Sequence, residues 1–179
     1  MGAVAIQADH LAGVSAAEKL SRIASDLSAK KLDAVLVTDP SSVAWIFNIR
    51  GADVPHTPHP LARAIIRADG SAELMIAEKK LSASVRAYLG KLCSLVDPAE
   101  LPRRLEQLAS GGRRVLVDPD LTSYSLIFML RQFGSEIVEG NDPAKLGRAV
   151  KNSVELNGSA AAHLQDGVAV VEFLRWFSS

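Results

Sequence analysis

The chain has 179 residues, of which 48% are apolar, and its 20 basic and 20 acidic residues give a formal net charge of zero. This length and apolar content suffice for one well-packed core and are too small for two comfortable domains. A chain without net charge has no overall field to concentrate nucleic acid or an anionic membrane surface. We therefore expect neither as a partner.

The cysteine content and the hydropathy pattern indicate a reducing, aqueous compartment. Cys93 cannot form an internal disulfide, and its apolar neighbours Leu92, Leu95 and Val96 favour a small buried hydrophobe over a reactive thiol. No apolar run approaches the ~20 residues that span a bilayer, and the amino terminus lacks the order of a secretory signal. We expect a cytoplasmic protein.

The first half of the chain alternates helix and strand signals. Ser15 followed by Glu18 is a capping-box pattern that begins a helix, and Asp69-Gly70 between two apolar runs predicts a β-hairpin. The predicted elements are a helix over 15–30, a strand over 33–38, a short helix after Asp39 and Pro40, and hairpin strands over 62–67 and 73–77.

The alternation continues to the carboxyl end. The predicted elements are a helix over 79–89, a strand over 92–96, a helix over 98–108, a strand over 113–118, a helix over 123–132, a strand over 136–139 and a helical stretch over 152–177. Gly158 and Gly167 each cost about 1 kcal/mol in a helix interior and predict two helices or a kink there. The sequence thus predicts an α/β fold: a mixed sheet of five to six strands with one hairpin, helices on both faces, and one or two extra helices at the end.

One loop concentrates the candidate functional residues. Residues 49 to 60 (IRGADVPHTPHP) contain three prolines and cannot continue a helix or form a central strand. Arg50 and Asp53 lie close enough in sequence to form a local ion pair that pins the loop. Alternatively, the rigid loop presents the Arg50 guanidinium to a peptide carboxylate or a neighbouring domain. Trp45 precedes the loop as core or loop support, and His56 lies within it.

The usual catalytic and metal-binding patterns are missing from the sequence. His56 and His59 are separated by two residues, but no further Cys, Asp or Glu at a recognisable offset completes a metal site. No G-x-S-x-G elbow and no glycine-rich phosphate loop occurs. Asp118 and Asp120 are explained by a turn before a helix. We therefore expect no catalytic residue, bound metal or cofactor in this chain.

Longer motifs carry a resemblance to a known family. The segment 39 to 60, and within it Ala44-Trp45-Ile46-Phe47-Asn48-Ile49-Arg50-Gly51 followed by Asp53, resembles the A-W-L-x-N-x-R-G-x-D signature of the middle domain of three-domain Xaa-Pro aminopeptidases (aminopeptidases P, creatinase/prolidase superfamily). Similar family patterns occur in the expected order at Ala12-Gly13, at Val117-Asp118 with Ser123-Tyr124, at Lys151-Asn152 with Glu155, and at Ala162-His163-Leu164-Gln165-Asp166-Gly167-Val168-Ala169.

The resemblance implies how the chain is divided. Residues 1–12 would be the tail of a preceding segment or a start introduced by cloning, and 13–148 a creatinase N-terminal-like α/β domain. Residues 149–179 would be the linker and first helix of a truncated "pita-bread" metallopeptidase domain. In the family, that last domain binds two divalent metals, usually manganese, and cleaves the bond before proline. Its five metal ligands lie beyond the Ala162–Ala169 motif, so none is expected in this chain.

What the resemblance implies for function is a non-catalytic domain. It would position the catalytic domain and shape substrate access, with Trp45, Arg50, Asp53 and His56 as candidates for substrate-channel or domain contacts. The partners implied are the missing catalytic and N-terminal domains, the peptide substrate of the full-length protein, and a possible second copy in a homodimer. The sequence departs from the family at residues 159 to 161, where members commonly have an arginine and this chain has Ser-Ala-Ala.

The apolar end of the chain bears on the choice between alternatives. An apolar stripe with nothing evident to cover it is formed by Val168, Val171, Phe173, Leu174, Trp176 and Phe177. It favours a truncated chain whose last helix is exposed, frayed or covered by a second copy. The alternative is a stand-alone module that binds a peptide or protein without cleaving it. A self-sufficient enzyme would need a nucleophile or metal site that the sequence does not supply.

Overall fold

A computed structural model of the chain describes residues 2 to 178. Met1 and Ser179, at the two ends of the predicted terminal segments, lie outside the described residues. The strands are β1 Ala5–Ile6, β2 Ala34–Val37, β3 Ile49–Arg50, β4 Arg63–Arg67, β5 Ala72–Met75, β6 Ser94–Val96, β7 Arg114–Val117 and β8 Glu136–Glu139. The helices are α1 Asp9–Ala12, α2 Ala16–Ala29, α3 Pro40–Ile46, α4 Ala83–Leu89, α5 Leu101–Ala109, α6 Tyr124–Gln132, α7 Ala144–Ala149 and α8 Ser153–Phe177.

Six of the described strands form one mixed sheet in the order β6-β5-β4-β2-β7-β8. β4 is antiparallel to both of its neighbours, while β2, β7 and β8 run parallel to one another, and β5 runs parallel to β6. β1 and β3 pair separately as a short antiparallel ribbon. The carboxyl ends of β2, β7 and β8 therefore meet at one edge of the sheet.

Both faces of the sheet are covered, as the sequence predicted. Alternate strand residues join two separate apolar clusters, because successive side chains point to opposite faces. Val35, Val37 and Ile66 pack on the face that α2, α3 and α4 cover. Leu36 and Ile65 pack on the other face against α5 and α6. The predicted α/β fold with one hairpin is confirmed, and all six predicted strands belong to the main sheet.

Local capping explains where several elements begin. The Ser15 hydroxyl accepts a hydrogen bond from the backbone N–H of Glu18 at the start of α2, and Asp39 caps α3 with Pro40 in the first turn. At the hairpin, Gly70 adopts a φ of +87°. These features satisfy free backbone N–H groups or supply a left-handed turn position, so they fix the ends of the elements.

Three parts of the chain differ from the sequence prediction. The predicted helices at 79–89 and 98–108 each begin with a separate 3-10 turn, Glu78–Lys80 and Pro98–Glu100. The amino-terminal segment, which carried no periodic pattern, contains β1 and α1, and its Val4 is buried in the core. Val4 and Ala12 of this segment thus pack against the α/β domain, while Ile6 and Leu11 are exposed.

The predicted break in the last helix is wrong. α8 runs without interruption over 25 residues. Gly158 and Gly167 lower the helix propensity, but a penalty of about 1 kcal/mol each does not impose a bend. Apart from the backbone of α8 and the adjacent residues, no described group lies within 4 Å of either Cβ position. A single helix therefore extends from the domain.

Candidate functional site

A cleft of about 820 Å³ lies at the edge of the sheet where the parallel strands end. Its walls include Asp39, which follows β2, and Leu121, which follows β7. Lys145 and Arg148 of α7, which follows β8, complete this side. In α/β folds, ligands bind in the crevice outside the carboxyl ends of the strands, so this cleft is the first candidate site.

An ion pair between Asp39 and Arg148 holds α3 and α7 together beside the cleft. Arg148 Nη1 lies 2.6 Å from Asp39 Oδ2 and 2.9 Å from Ser42 Oγ. Burial alone would raise the pKa of the Asp39 carboxyl, but hydrogen bonds from Ser41 and the contact with Arg148 lower that pKa below its ordinary value. The charge of Arg148 is thus largely neutralised within the domain.

Trp45 lines the cleft and is clamped between two helices. The Lys19 ammonium of α2 lies 4.1 Å from the centre of its ring, a cation–π contact. On the α7 side, a Cβ added at Gly147 would lie only 2.7 Å from the ring, so that position has room for glycine alone. The indole Nε1–H is buried and has no hydrogen-bond partner within residues 2–178. Trp45 is therefore a rigid wall with one unused donor.

Arg50 lines the same cleft and carries a charge that lacks a close counter-ion. Its Nη1 donates to the carbonyl oxygens of Ala44 at 3.3 Å and Ile49 at 2.9 Å. No carboxylate of the described residues lies within 4.0 Å of the guanidinium. Burial lowers the pKa of Arg50, and the charge of Glu155 partly offsets this effect. The guanidinium is thus held in place through Nη1 while it has no carboxylate partner among the described residues.

The predicted ion pair between Arg50 and Asp53 is wrong. Asp53 Oδ2 instead accepts hydrogen bonds from Lys80 Nζ at 2.5 Å and from the backbone N–H of Leu61 at 2.7 Å. Asp53 Oδ1 accepts from the backbone N–H of Gly2 at 3.1 Å. Its side chain is 2% exposed. Asp53 therefore ties the proline-rich loop to the amino-terminal segment and does not face the cleft.

The structure places His59 in the cleft lining, whereas the candidate from the sequence was His56. His56 is exposed, has a φ of +60°, and does not line the cleft. His59 lines it, and its Nδ1 is buried without a partner in the described part of the chain. Burial, followed by the charges of Arg50 and Arg148, lowers the pKa of His59, which keeps the ring neutral near pH 7.

Sequence reasoning missed three cleft residues, His59, Asp39 and Arg148, in their functional setting. Because Asp39 and Arg148 are 109 residues apart, no local sequence pattern indicates their contact. In the sequence, His59 stands out only as the partner of His56 in a histidine pair that no nearby Cys, Asp or Glu completes as a metal site. Within residues 2–178, no group of three or more such side chains is placed to hold a metal ion.

The last helix begins at the rim of the cleft and then leaves the domain. Glu155 and Gly158 line the cleft, and every described side chain from residue 156 onward is exposed. The exposed side chains include a large apolar set: Leu156, Leu164, Val168, Val170, Val171, Phe173, Leu174, Trp176 and Phe177. In the described part of the chain, no helix combines the length and the hydropathy that crossing a lipid bilayer would require.

The start of this helix is fixed by a dense local joint. The Asn152 side chain caps α8 in a reciprocal capping box with Glu155, and its Nδ2 donates to the carbonyl oxygen of Ala12 at 2.9 Å. Gly13 adopts a φ of +73°, and a Cβ there would lie 2.5 Å from Asn152 Oδ1. The direction in which α8 leaves the domain is therefore set by α1 and the glycine that ends it.

Comparisons with known proteins agree on the nature of this domain. A family model described as the creatinase/prolidase N-terminal domain matches residues 1–155. A probable Xaa-Pro aminopeptidase P of Coccidioides posadasii (strain RMSCC 757 / Silveira) is 33% identical over 178 residues, covering 95% of this chain and 29% of the relative. A protein of the same description from Arthroderma gypseum is 31% identical, covering 98% of this chain and 28% of the relative.

Solved structures give the same picture. The X-prolyl aminopeptidase of Caenorhabditis elegans, described as a cytosolic enzyme with a di-nuclear active site, superimposes with a TM-score of 0.89 and 25% identity. The match covers 99% of this chain and 30% of that one. The Xaa-Pro dipeptidase of Bacillus anthracis shares the fold, with a TM-score of 0.58 and 16% identity over 80% of this chain and 38% of its own. The chain spans less than a third of the length of the curated relatives cited above.

Proposed function

This chain belongs to the creatinase/prolidase N-terminal domain family, and we propose that it is the non-catalytic middle domain of an Xaa-Pro aminopeptidase. The parent enzyme removes the first residue from peptides with proline in second position. It does so in the cytoplasm with two divalent metal ions, manganese being the expected metal, held outside the residues of this chain. The domain positions the catalytic part and shapes the access of peptides to it.

The observation that carries this proposal is the geometry of α8. The helix is anchored at its first turn by Asn152 and then presents apolar side chains on an exposed surface over residues 156 to 178. Side chains such as Phe173 and Leu174 gain stability only when another surface covers them. The relatives have more than two thirds of their length outside the matched region, and that length supplies the surface.

The cleft fits the same role. Trp45 and Arg50 are held rigidly at the edge from which α8 departs, so they are placed to contact the catalytic part or a peptide on its way to it. Asp53 contributes indirectly, because it pins the loop that carries Arg50 to the rest of the domain. His56 lies outside the cleft and has no assigned part.

The test is hydrolysis of an Xaa-Pro peptide with added manganese, comparing this chain with the full open reading frame that encodes it. We expect activity in the longer protein and none in residues 1–179. Hydrolysis by the chain alone would contradict a non-catalytic domain. Absence of hydrolysis by both the chain and the longer protein would contradict the peptidase assignment and favour a module that binds peptides without cleaving them.

A further inference from the structure

We propose that the cleft at the carboxyl edge of the sheet binds a peptide carboxylate, with the Arg50 guanidinium as its principal ligand. The source of that carboxylate rests on the proposed function. The binding chemistry does not, since it belongs to residues of this chain.

The first argument is the charge of the cleft. Four basic and two acidic side chains line it, in a chain of zero net charge. Arg148 is neutralised by Asp39, and Lys145 lies 3.7 Å from Asp118. Arg50 and the exposed Lys151 have no such partner in the described part of the chain, and of the two only Arg50 is partly buried and held in place by backbone carbonyls, so its charge is the positioned one that an anion entering the cleft would meet.

The second argument is a set of buried polar atoms that belong to residues lining the cleft and have no partner within residues 2–178. They are the Trp45 Nε1–H, which can only donate, the His59 Nδ1, and the Gln7 Oε1, which accepts. A buried polar atom without a partner is costly, and native structures keep few of them. These atoms are not accessible to solvent, so a ligand that offers acceptor oxygens and an N–H group would pair with them only after the surrounding side chains move.

These two arguments together favour a peptide carboxylate over a phosphate. A guanidinium fork matches the two oxygens of a carboxylate, and the adjacent amide of a peptide supplies an N–H donor. The acidic side chains Asp39 and Glu155 also line the cleft and disfavour a doubly charged anion. The sequence has no glycine-rich cradle of backbone N–H groups for phosphate.

The test uses residues 1–179 and acetyl-triglycine with a free carboxylate, and the same peptide with an amidated carboxyl end as the matched probe. Saturation-transfer NMR of the peptide detects binding. A shift of the Trp45 indole N–H resonance shows that the peptide binds in the cleft. That resonance is identified with a Trp176→Phe variant. We expect transfer and a shift of the Trp45 signal with the carboxylate peptide, and neither with the amide or with inorganic phosphate at equal concentration.

Two substitutions sharpen the test. Arg50→Gln should weaken binding of the carboxylate peptide by about tenfold or more, because it removes a charged hydrogen-bond donor. Arg50→Lys keeps the charge but loses the fork and should give an intermediate loss. The matched control is Arg113→Gln, an exposed arginine just before β7 at the opposite edge of the sheet, which should leave binding unchanged. Equal binding of the two peptides, or undiminished binding by Arg50→Gln, would overturn the proposal.

The same measurement in the longer protein distinguishes the sources of the carboxylate. Acetyl-triglycine has a blocked amino end and no proline, so it is not a substrate of the proposed peptidase. Transfer that depends on Arg50 in the longer protein identifies a free peptide end as the ligand. If residues 1–179 show Arg50-dependent transfer and the longer protein shows none, the cleft is already filled in the longer protein. The natural occupant is then an acidic side chain from the part of the longer protein outside residues 1–179. Absence of binding to residues 1–179 contradicts the proposal whatever the peptidase assay shows.

Discussion

The side-chain amide of Asn152 donates a hydrogen bond to the carbonyl oxygen of Ala12 at 2.9 Å, joining two residues that are 140 positions apart. The same side chain caps α8. Because it packs directly against the space where Gly13 has no Cβ, one contact couples the amino-terminal segment to the direction of the last helix. Within the proposed function, this joint sets the position of whatever α8 contacts.

Replacing Gly13 with alanine should destabilise the domain for two separable reasons. The φ of +73° is unfavourable for a residue with a Cβ, at about 1–2 kcal/mol, and the new Cβ would clash with the Asn152 amide. We expect the clash to disappear when Asn152 is also alanine. The Gly13→Ala change should therefore cost less in the Asn152→Ala background than alone, as measured by urea unfolding in a double-mutant cycle.

Gly70→Ala is the matched control for this cycle. Gly70 has a φ of +87°, but apart from the glycine itself and its two chain neighbours, no atom of residues 2–178 lies within 4 Å of its Cβ position. Its substitution should show the backbone cost alone and no coupling to Asn152. Equal costs of Gly13→Ala in both backgrounds would mean that the Asn152 side chain does not constrain this joint.

Asp53→Asn should be strongly destabilising, although it changes one loop residue. The Lys80 ammonium would be left buried beside a neutral amide, and breaking a buried ion pair by removing one partner costs about 3 kcal/mol or more. Urea unfolding measures the loss. Glu78→Gln, which breaks the exposed pair with Arg86, is the control and should cost at most about 1 kcal/mol.

The same pair makes a signed prediction about acid stability. Burial would raise the pKa of the Asp53 carboxyl, but hydrogen bonds from Lys80, Leu61 and Gly2 lower it below 3.8. Its contribution is thus fully present above the unfolded pKa and is lost as pH falls through the folded pKa. Below about pH 4, the unfolding free energy of the wild type should fall more steeply than that of Asp53→Asn. Parallel curves would contradict this linkage.

The layered fold could be read from the sequence because its signals are local. The alternation of apolar residues in each strand, the Ser15 and Asp39 caps and the Asp69-Gly70 turn all act within a few residues. Each of these signals agrees with the sheet that forms. The break predicted at Gly158 failed because a weak propensity was treated as a geometric constraint.

The cleft was less predictable because it is assembled from distant segments. Arg50 and Trp45 could be singled out from their motif, but Asp53 found its partner at Lys80, 27 residues away, rather than at Arg50. The contact of Asp39 with Arg148 depends on the order of strands in the sheet, which brings the loops after β2 and β8 to one edge. The spacing of residues along the sequence does not indicate the order of the strands in the sheet.

Lys19 should give the domain an unusual dependence on alkaline pH. Burial lowers the pKa of its ammonium from 10.5 to about 8, partly opposed by the charge of Glu155. The unfolded chain therefore binds more protons than the folded chain between about pH 8 and 10.5, and stability rises with pH across that window. Relative to Lys19→Met, the wild type should gain unfolding free energy as pH rises through that window.

Urea unfolding of both proteins at pH 7.5, 9 and 10 measures this difference. The comparison with Lys19→Met removes the contributions of other groups that titrate in the same range, such as Tyr88, whose pKa burial raises. Lys30→Met, at an exposed position just after α2, is the control and should show no such gain. A wild-type curve that falls relative to Lys19→Met would contradict the predicted direction.

Cys93 should be an unreactive thiol in the folded chain. Burial raises its pKa from 9.0 to about 12, and the thiolate is the reactive form. At pH 8 we expect alkylation by iodoacetamide to be slower in the native protein than in urea, because the native thiolate fraction is lower. Native and unfolded rates that agree would contradict the predicted burial of the sulfur.

The exposed part of α8 should contribute nothing to the stability of the domain on its own. All described side chains from residue 156 onward are exposed, so ending the chain after Asn157 removes no buried contact while keeping the Asn152–Glu155 capping box. We expect the urea midpoint of this shorter chain to equal that of residues 1–179. Dye binding and concentration-dependent self-association, which the apolar side chains promote, should both decrease.

A double substitution tests the same surface without shortening the chain. Phe173 and Leu174 are both more than half exposed, and Phe173→Ser with Leu174→Ser should reduce self-association of residues 1–179 while leaving the midpoint unchanged. In the longer protein, the same pair should lower stability by about 2 kcal/mol or more, because there the side chains would be covered. A loss of stability in residues 1–179 but not in the longer protein would contradict this interpretation. It would mean that the helix is covered only where copies of the shorter chain associate.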